Sequence, residues 1–485
     1  MRSFQRITRL ILRQIRIGEL AGIALHPAPK GVCAAAARGA ASGTVTTLAS
    51  PSPSASAAIA RPNILAAHEQ TWDRIARSCL LIAIFLSGWG LLRVGQINLT
   101  FSDIFFLLSF IISALRGRLS VTPFRSLTPF WLAGLVMMLG GLFIGSIING
   151  DPLRWVNIAL QYTVAFLCIP ILLMQQEEGT IRKAPLIFML GITCSEIVGI
   201  TASFFFTFHE TLHWLGDGFI TGNGRLGSMA GQPNPNGAVV AFSLPMLLYS
   251  MRFRLIGGLG GVACLILLLW GLMLSASFTG FSASLLAIFI TLLLMGVRYI
   301  FRLGLTAGVA AALFFASGAP LPKAFQERVG NAVESGDINQ AGTFLNRSQL
   351  MEEAWGFAED YTVIGMGVDR YRELSAYDNP VHNLFLLIWN EGGAIAFCGL
   401  IILLGLIGLL AVNGLRVNRD KGAMAVAVVL VFLIYTLSYP HMYSRMWIMP
   451  VMVALATIYV PRRTAPDSAA LIYARPVGPQ PLPEL

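Results

Sequence analysis

From residue 79 to about residue 460 the chain is a succession of apolar runs divided by short polar or basic punctuation. A helix rises 1.5 Å per residue, so about 20 apolar residues cross the roughly 30 Å hydrocarbon core of a bilayer. Runs of that order lie at about 79–97, 99–115, 127–148, 155–174, 184–206, 236–250, 253–275, 280–297, 300–318, 384–412, 422–440 and 443–460. Within lipid every backbone N–H and C=O must find a partner inside the protein, which the α-helix alone provides without closing a barrel. The expected fold is therefore all-α, a polytopic integral membrane protein of about twelve transmembrane helices. The divisions inside 79–115 and 236–297 are the least sharply marked, and 236–250 is short enough to continue towards Arg252.

Composition narrows the function. Charged residues make up 12% of the chain, against about 25% in a soluble domain, which excludes an ordinary soluble enzyme and a disordered chain. Of the six cysteines, Cys79, Cys168, Cys194, Cys264 and Cys398 sit in or beside apolar runs and Cys33 in the tail, none at metal-ligand spacing. The net charge of +10 is topological and calls for no nucleic acid. With the N-terminus cytoplasmic, the inner loops hold Arg116, Arg118, Arg125, Arg182, Lys183, Arg252, Arg254, Arg298, Arg302, Arg416, Arg419, Lys421, Arg462 and Arg463. The outer connections hold few, chiefly Arg93, Arg154 and Arg445. A register wrong by one helix would scramble this alternation.

Three regions follow: a tail at 1–77, a membrane domain at 78–462 and a cytoplasmic tail at 463–485. The first tail opens on Arg2, Arg6, Arg9, Arg13 and Arg16 around Leu10, Ile11 and Ile15, a short basic amphipathic helix suited to a lipid surface. An Ala/Ser/Pro-rich stretch without periodicity follows. This reads as a cytoplasmic tail, an early start, or a segment resembling a transit peptide. Two outer segments, about 207–235 and 319–383, are too long for turns and are expected to be functional. No internal repeat is visible, which speaks against a transporter of symmetric halves.

His209, His213, His382 and His441 all fall on the outer side. Histidine titrates near neutral pH, so this face is the first place to seek proton chemistry. His382 ends the long loop and opens the helix "VHNLFLLIWNEGGAIAFCGLI", where it is placed to accept a proton from a substrate hydroxyl. Asn390 and Glu391 lie two turns further on, and a carboxylate there is either a hydrogen-bond hub or part of the site. Arg225 lies in "GNGRLGSMAGQPNPNGAVVAF", a tight loop, and a guanidinium fork suits phosphate oxygens. Arg347, Arg370 and Arg372 are further candidates for one anion site. Glu196 and Gln161 read as buried groups bonded between helices.

"RLGSMAGQPNPNGAVVAF", "LSASFTGFSASLLAI", "NRSQLMEEAWGFAEDYTVIGMGVDRY" and "VHNLFLLIWNEGGAIAFCGLI", in this order, resemble the O-antigen ligase/polymerase family, which includes exopolysaccharide polymerases. The resemblance spans about 79–460 and is sharpest at 220–400. It implies a C-type glycosyltransferase fold in the bacterial inner membrane, working at the periplasmic face without metal or other cofactor. The implied donor is an undecaprenyl-diphosphate-linked oligosaccharide, and the acceptor a growing glycan or the lipid A-core. A flippase and a chain-length regulator are the implied partners. By resemblance His382 activates the acceptor hydroxyl and Arg225 holds the diphosphate, with Arg347 and Arg370 assisting and Asn383, Glu391 and Asn234 supporting. Two departures stand out. Ser277-Phe278-Thr279 replaces the family's Ser-Arg or Ser-Lys, so a second diphosphate ligand is missing there, to be supplied by Arg347 or Arg370. Ala394-Ile395-Ala396-Phe397-Cys398 after Gly393 lacks the ligase branch's Gly-x-x-Gly-Thr-Pro, favouring a polymerase over a lipopolysaccharide O-antigen ligase.

Readings from other classes compete. His209-Glu210-Thr211-Leu212-His213 is an H-E-x-x-H pattern, which on a helix puts two imidazoles on one face for zinc, with Asp217 the nearest further ligand. That would make an intramembrane zinc protease; otherwise His209 and His213 are interfacial residues beside Trp214. A polysaccharide transporter would need no role for His382. His441, among Tyr439, Tyr443, Arg445 and Trp447, reads as part of an interfacial aromatic belt or as a wall for sugar rings or the headgroup.

Overall fold

The computed structural model describes residues 64–93, 99–296, 321–330, 334 and 344–460. The basic N-terminal helix, the predicted span at 300–318, part of the long loop and the C-terminal tail lie outside the described residues. The chain forms two compact units, Met1–Thr71 and Trp72–Leu485. Of the first, only residues 64–71 are described, and they are helical.

The described residues form α1 (Ile64–Leu86), α2 (Phe101–Leu115), α3 (Thr128–Asn149), α4 (Pro152–Leu173), α5 (Glu178–Phe205), α6 (Phe208–Leu215), α7 (Pro233–Arg252), α8 (Gly258–Ser275), α9 (Phe278–Met295), α10 (Phe344–Asp360), α11 (Arg370–Leu374), α12 (Leu384–Val417), α13 (Arg419–Thr436) and α14 (Arg445–Tyr459). Strand pairing among them is limited to two isolated bridges. Helices occupy eleven of the twelve predicted runs. By length and composition α3, α4, α5, α8, α9 and α12 can each cross a membrane; α2 and α14 are shorter apolar helices. The run predicted at 79–97 is corrected: α1 begins at Ile64 and ends at Leu86. There Ser87-Gly88-Trp89-Gly90 turns so closely past Ala230 that a Cβ on Gly90 would stand 2.8 Å from its carbonyl oxygen.

α7 and α14 are apolar on every side and almost wholly buried, which makes them the centre of the bundle rather than its lipid face. Hydroxyls inside the bundle turn back onto their own helices: Ser243 donates to the Val239 carbonyl and Thr291 to that of Ala287, at 2.7 and 2.6 Å. A buried Asp103–Arg445 ion pair joins α2 to α14. Loops that the charge pattern places on one side do meet: Arg252 at the end of α7 pairs with Asp420 of α13 at 2.7 Å, and Lys421 reaches Glu178 of α5 at 3.7 Å.

α3 and α12 pack backbone to backbone. Cβ atoms added at Gly141 or Gly399 would collide with main-chain atoms of the opposite helix, the small-residue packing through which helices associate in lipid. Near its start α12 is broken at Gly393 (φ 67°, ψ −171°), where a side chain would run into the Val363 carbonyl. That backbone region is essentially restricted to glycine and costs about 1–3 kcal/mol otherwise. Gly393→Ala is therefore expected to lower the unfolding temperature in detergent, while Gly405→Ala, where nothing lies within 4 Å, leaves it unchanged.

Candidate functional site

The loop between α6 and α7 places the first arginine. Thr221 to Arg225 close a small hairpin around Asn223-Gly224: the Thr221 N–H donates to the Arg225 carbonyl at 2.9 Å, and the Arg225 N–H to Thr221 Oγ1 at 3.2 Å. The Arg225 side chain, only 8% exposed, runs inward. Its Nε donates at 2.9 Å to the carbonyl of Ser275, the last residue of α8, where the helix dipole is negative. Its Nη2 donates at 2.9 Å to Asn234 Oδ1 in the first turn of α7. Asn234 thus holds the guanidinium, and the Tyr435 hydroxyl bonds the Asn234 carbonyl at 3.3 Å. Since α7 is one of the two almost wholly buried helices, this arginine is fixed to the centre of the bundle.

The long loop brings the rest. Arg347 stands in the first turn of α10. Glu353 on the same helix ties α10 to the approach of α12: it accepts from the Tyr371 hydroxyl at 2.8 Å, Ser375 Oγ at 2.7 Å and the Ala376 N–H at 2.8 Å. His382 follows directly, and Asn383 caps α12, its Oδ1 accepting from the N–H groups of Phe385 and Leu386 at 3.0 and 3.2 Å. Asn383 serves the helix start, which fixes the backbone beside His382.

Arg225, Arg328, Arg347 and His382 form one electrostatic cluster. Arg225 is pushed down to about 10, first by burial and then by the charges of Arg328 and Arg347. Arg347 is lowered by burial and by Arg328, with the Tyr435 phenol opposing. His382 is lowered by burial first and by Arg347 next, with the Pro380 carbonyl opposing. Arg328 is lowered by burial, and its Nε is buried without a hydrogen bond among the described residues. Among the described residues, no acidic side chain figures in the groups acting on these four. Half-buried like charges without counter-ions are unfavourable unless an anion joins them.

A cavity of about 550 Å³ is lined by Pro235, the neighbour of Asn234, by Pro380, two residues before His382, and among others by Gln161, Gln232, Glu391, His441, Tyr443 and Trp447. Glu391 is buried as a hub: its Oε1 accepts the Asp369 N–H and its carbonyl the Gly367 N–H, both at 2.9 Å. Gln161 lies on the cavity wall, its Nε2 bonded to Asn157 Oδ1 at 3.0 Å.

Other expected residues go elsewhere. Arg370 is not brought into the cluster: on α11 it pairs with Glu373 at 2.7 Å, because Glu373 lies one turn away and already draws Arg154 at 2.6 Å. Arg372, from the same helix, lines the cavity instead. His209 and His213 are exposed on α6, and Glu210 caps that helix, accepting the Thr207 N–H at 2.7 Å. No group of three or more metal-ligating side chains gathers among the described residues, and the glutamate of the H-E-x-x-H pattern is engaged in capping α6. Ser277, which precedes Phe278 at the position where the resemblance implies a basic residue, caps α9 and bonds Tyr435 at the cluster's edge. Arg328 stands in "KAFQERVG", where the sequence carries no signal for it apart from its presence in the long loop.

Residues 263–404 match the family model described as O-antigen ligase. The matched segment contains Arg328, Arg347, His382 and Glu391. No curated protein matches the chain.

Proposed function

We propose, taking as premise that the chain carries an O-antigen ligase family segment at 263–404, that it transfers glycosyl units from an undecaprenyl-diphosphate-linked oligosaccharide to a growing polysaccharide at the extracytoplasmic face of a bacterial inner membrane. The observation that carries this reading is the convergence of three guanidinium groups and one imidazole, drawn from the 207–235 and 319–383 segments, with no described acid countering them. Glycosyl transfer from a lipid diphosphate asks for those two functions. The acceptor oxygen attacks the anomeric carbon, the bond from that carbon to the diphosphate oxygen breaks, and the diphosphate leaves with the electron pair. Arg225, Arg328 and Arg347 would neutralise the charge that gathers on it. The hydroxyl proton would pass to the His382 imidazole.

The lack of Gly-x-x-Gly-Thr-Pro after Gly393 favours a glycan over lipid A-core as acceptor. Full-length protein in proteoliposomes, supplied with the lipid-linked oligosaccharide extracted from a strain lacking the chain, is expected to yield a ladder of longer glycans. Transfer that occurs only when lipid A-core is added would make the chain a ligase. No consumption of the donor with either acceptor would refute the transferase reading.

A further inference from the structure

Besides His382, a second imidazole stands within the enclosed part of this end of the bundle. His441, in the segment between α13 and α14, lines the cavity. Its Nδ1 lies 3.2 Å from the Tyr162 hydroxyl of α4, and its Nε2 lies 3.2 Å from Glu391 Oε2 of α12. Tyr162 and Glu391 are both about 1% exposed. Glu391 Oε1 is taken by the Asp369 N–H, while Oε2 has no hydrogen bond among the described residues, so the His441 ring is the group at hand for it. The phenol can donate to Nδ1, and Nε2 stands within reach of the carboxylate at 3.2 Å. One tautomer, protonated on Nε2, therefore serves both neighbours. With both nitrogens facing protein groups, this imidazole has no lone pair left for a substrate hydroxyl.

What it does hold is geometry. Asn390, next to Glu391, donates from Nδ2 to the Ala354 carbonyl of α10 at 3.0 Å, and its own carbonyl accepts the Met366 N–H at 2.8 Å. Through these bonds the helix that carries Arg347 and the helix that starts after His382 form one frame. The Glu391–His441–Tyr162 bridge is where that frame is joined to α4 and to the 437–444 segment. Asp369, Asp103 and Arg445 line the same cavity, and Tyr443 stacks near the ring at 5.8 Å between centroids.

We propose that His441 is a positioning residue for the transfer site: by bridging Glu391 to Tyr162 it sets the heading of α12, and with it the place of His382 at the start of that helix. The proposal rests on the transfer reading above. Misplacement of a reacting group by about 1 Å costs on the order of 100-fold. In the full-length protein, assayed with the extracted lipid-linked oligosaccharide, His441→Ala is expected to lower kcat by about 10- to 100-fold. KM for the donor and the position of the acid limb of the pH profile should both stay where they are. His441→Gln, whose amide can reach one of the two neighbours, is expected to recover part of the loss. Wild-type kcat in His441→Ala overturns the proposal, and so does loss of the acid limb, which would make His441 a base. If Arg225→Ala and His382→Ala are also fully active, the transfer reading itself has failed, and this proposal with it. A measurement independent of activity, and of whether His441→Ala folds, is the 15N spectrum of histidine-labelled protein in bilayers. His441 should carry its proton on Nε2 with Nδ1 bare; the opposite tautomer refutes the bridge.

Discussion

Arg225→Ala is expected to slow glycan transfer by about two to three orders of magnitude, the usual loss when one fixed stabiliser of transition-state charge is removed. The negative charge on the departing diphosphate grows as the glycosidic bond breaks, so the loss should appear mainly in kcat and less in KM for the donor. The size of the effect follows from the setting. Arg225 is nearly enclosed, anchored to the end of α8 through Ser275 and to the start of α7 through Asn234, and its charge meets Arg328 and Arg347 rather than an acid. A guanidinium held this way does not have to reorganise when the leaving group forms. Arg225→Lys keeps the charge and loses the fork that bonds Ser275 and Asn234 together, so it should fall between wild type and alanine. Asn234→Ala separates the anchor from the charge, because it removes only the acceptor that aims Nη2. Rates of lipid-linked donor consumption in proteoliposomes, with unfolding temperatures taken in parallel, check the series. Arg225→Ala at wild-type kcat with a normal unfolding temperature would remove the arginine cluster from the mechanism.

The bundle was legible in the sequence because lipid leaves few choices. Once 79–460 is read as apolar runs, the backbone must be helical, and the basic loops fix which ends share a side; Arg252 meeting Asp420 and Lys421 meeting Glu178 are where that pattern becomes contact. Arg225 and Asn234 were legible for a local reason, since they lie nine positions apart, at the end of one hairpin and in the first turn of the helix that follows. The ends of α1 were not, because Leu86 is followed by glycines whose approach to Ala230 depends on a helix pair far along the chain. The same limit explains the exchange of Arg370 for Arg328. Both lie in the long loop with similar neighbours in sequence, and only the fold decides that Arg370 finds Glu373 one turn away while Arg328 turns to Arg225. His441 read as part of an aromatic belt because its partners, Tyr162 and Glu391, lie 279 residues before it and on another helix. Residue type proposed the chemistry, and long-range packing chose which residues of each type share a site.

His382→Ala is expected to reduce kcat by about two to four orders of magnitude, the span of a positioned general base, and to abolish the acid limb of the kcat/KM profile. The limb has a sign that the surroundings fix. Burial, and then the charge of Arg347, hold His382 below its ordinary range, so the neutral, proton-accepting ring persists to lower pH than a free histidine would allow. Transfer that uses this base is present above the His382 pKa and lost as pH falls through it. Arg347→Gln removes the smaller of the two depressing influences. The His382 pKa should rise, and the acid limb should move to higher pH without reaching the ordinary histidine value, since burial remains. The plateau rate should also drop, because the diphosphate loses one of its three cations. These two consequences are separable: the plateau reports charge neutralisation and the limb reports the imidazole. Arg328→Gln, which removes a cation that acts on Arg225 and Arg347 but not among the influences on His382, should lower the plateau and leave the limb in place. An acid limb that stays fixed in Arg347→Gln, or one that survives in His382→Ala, would assign the proton to another group and leave the arginine cluster as a site for binding alone.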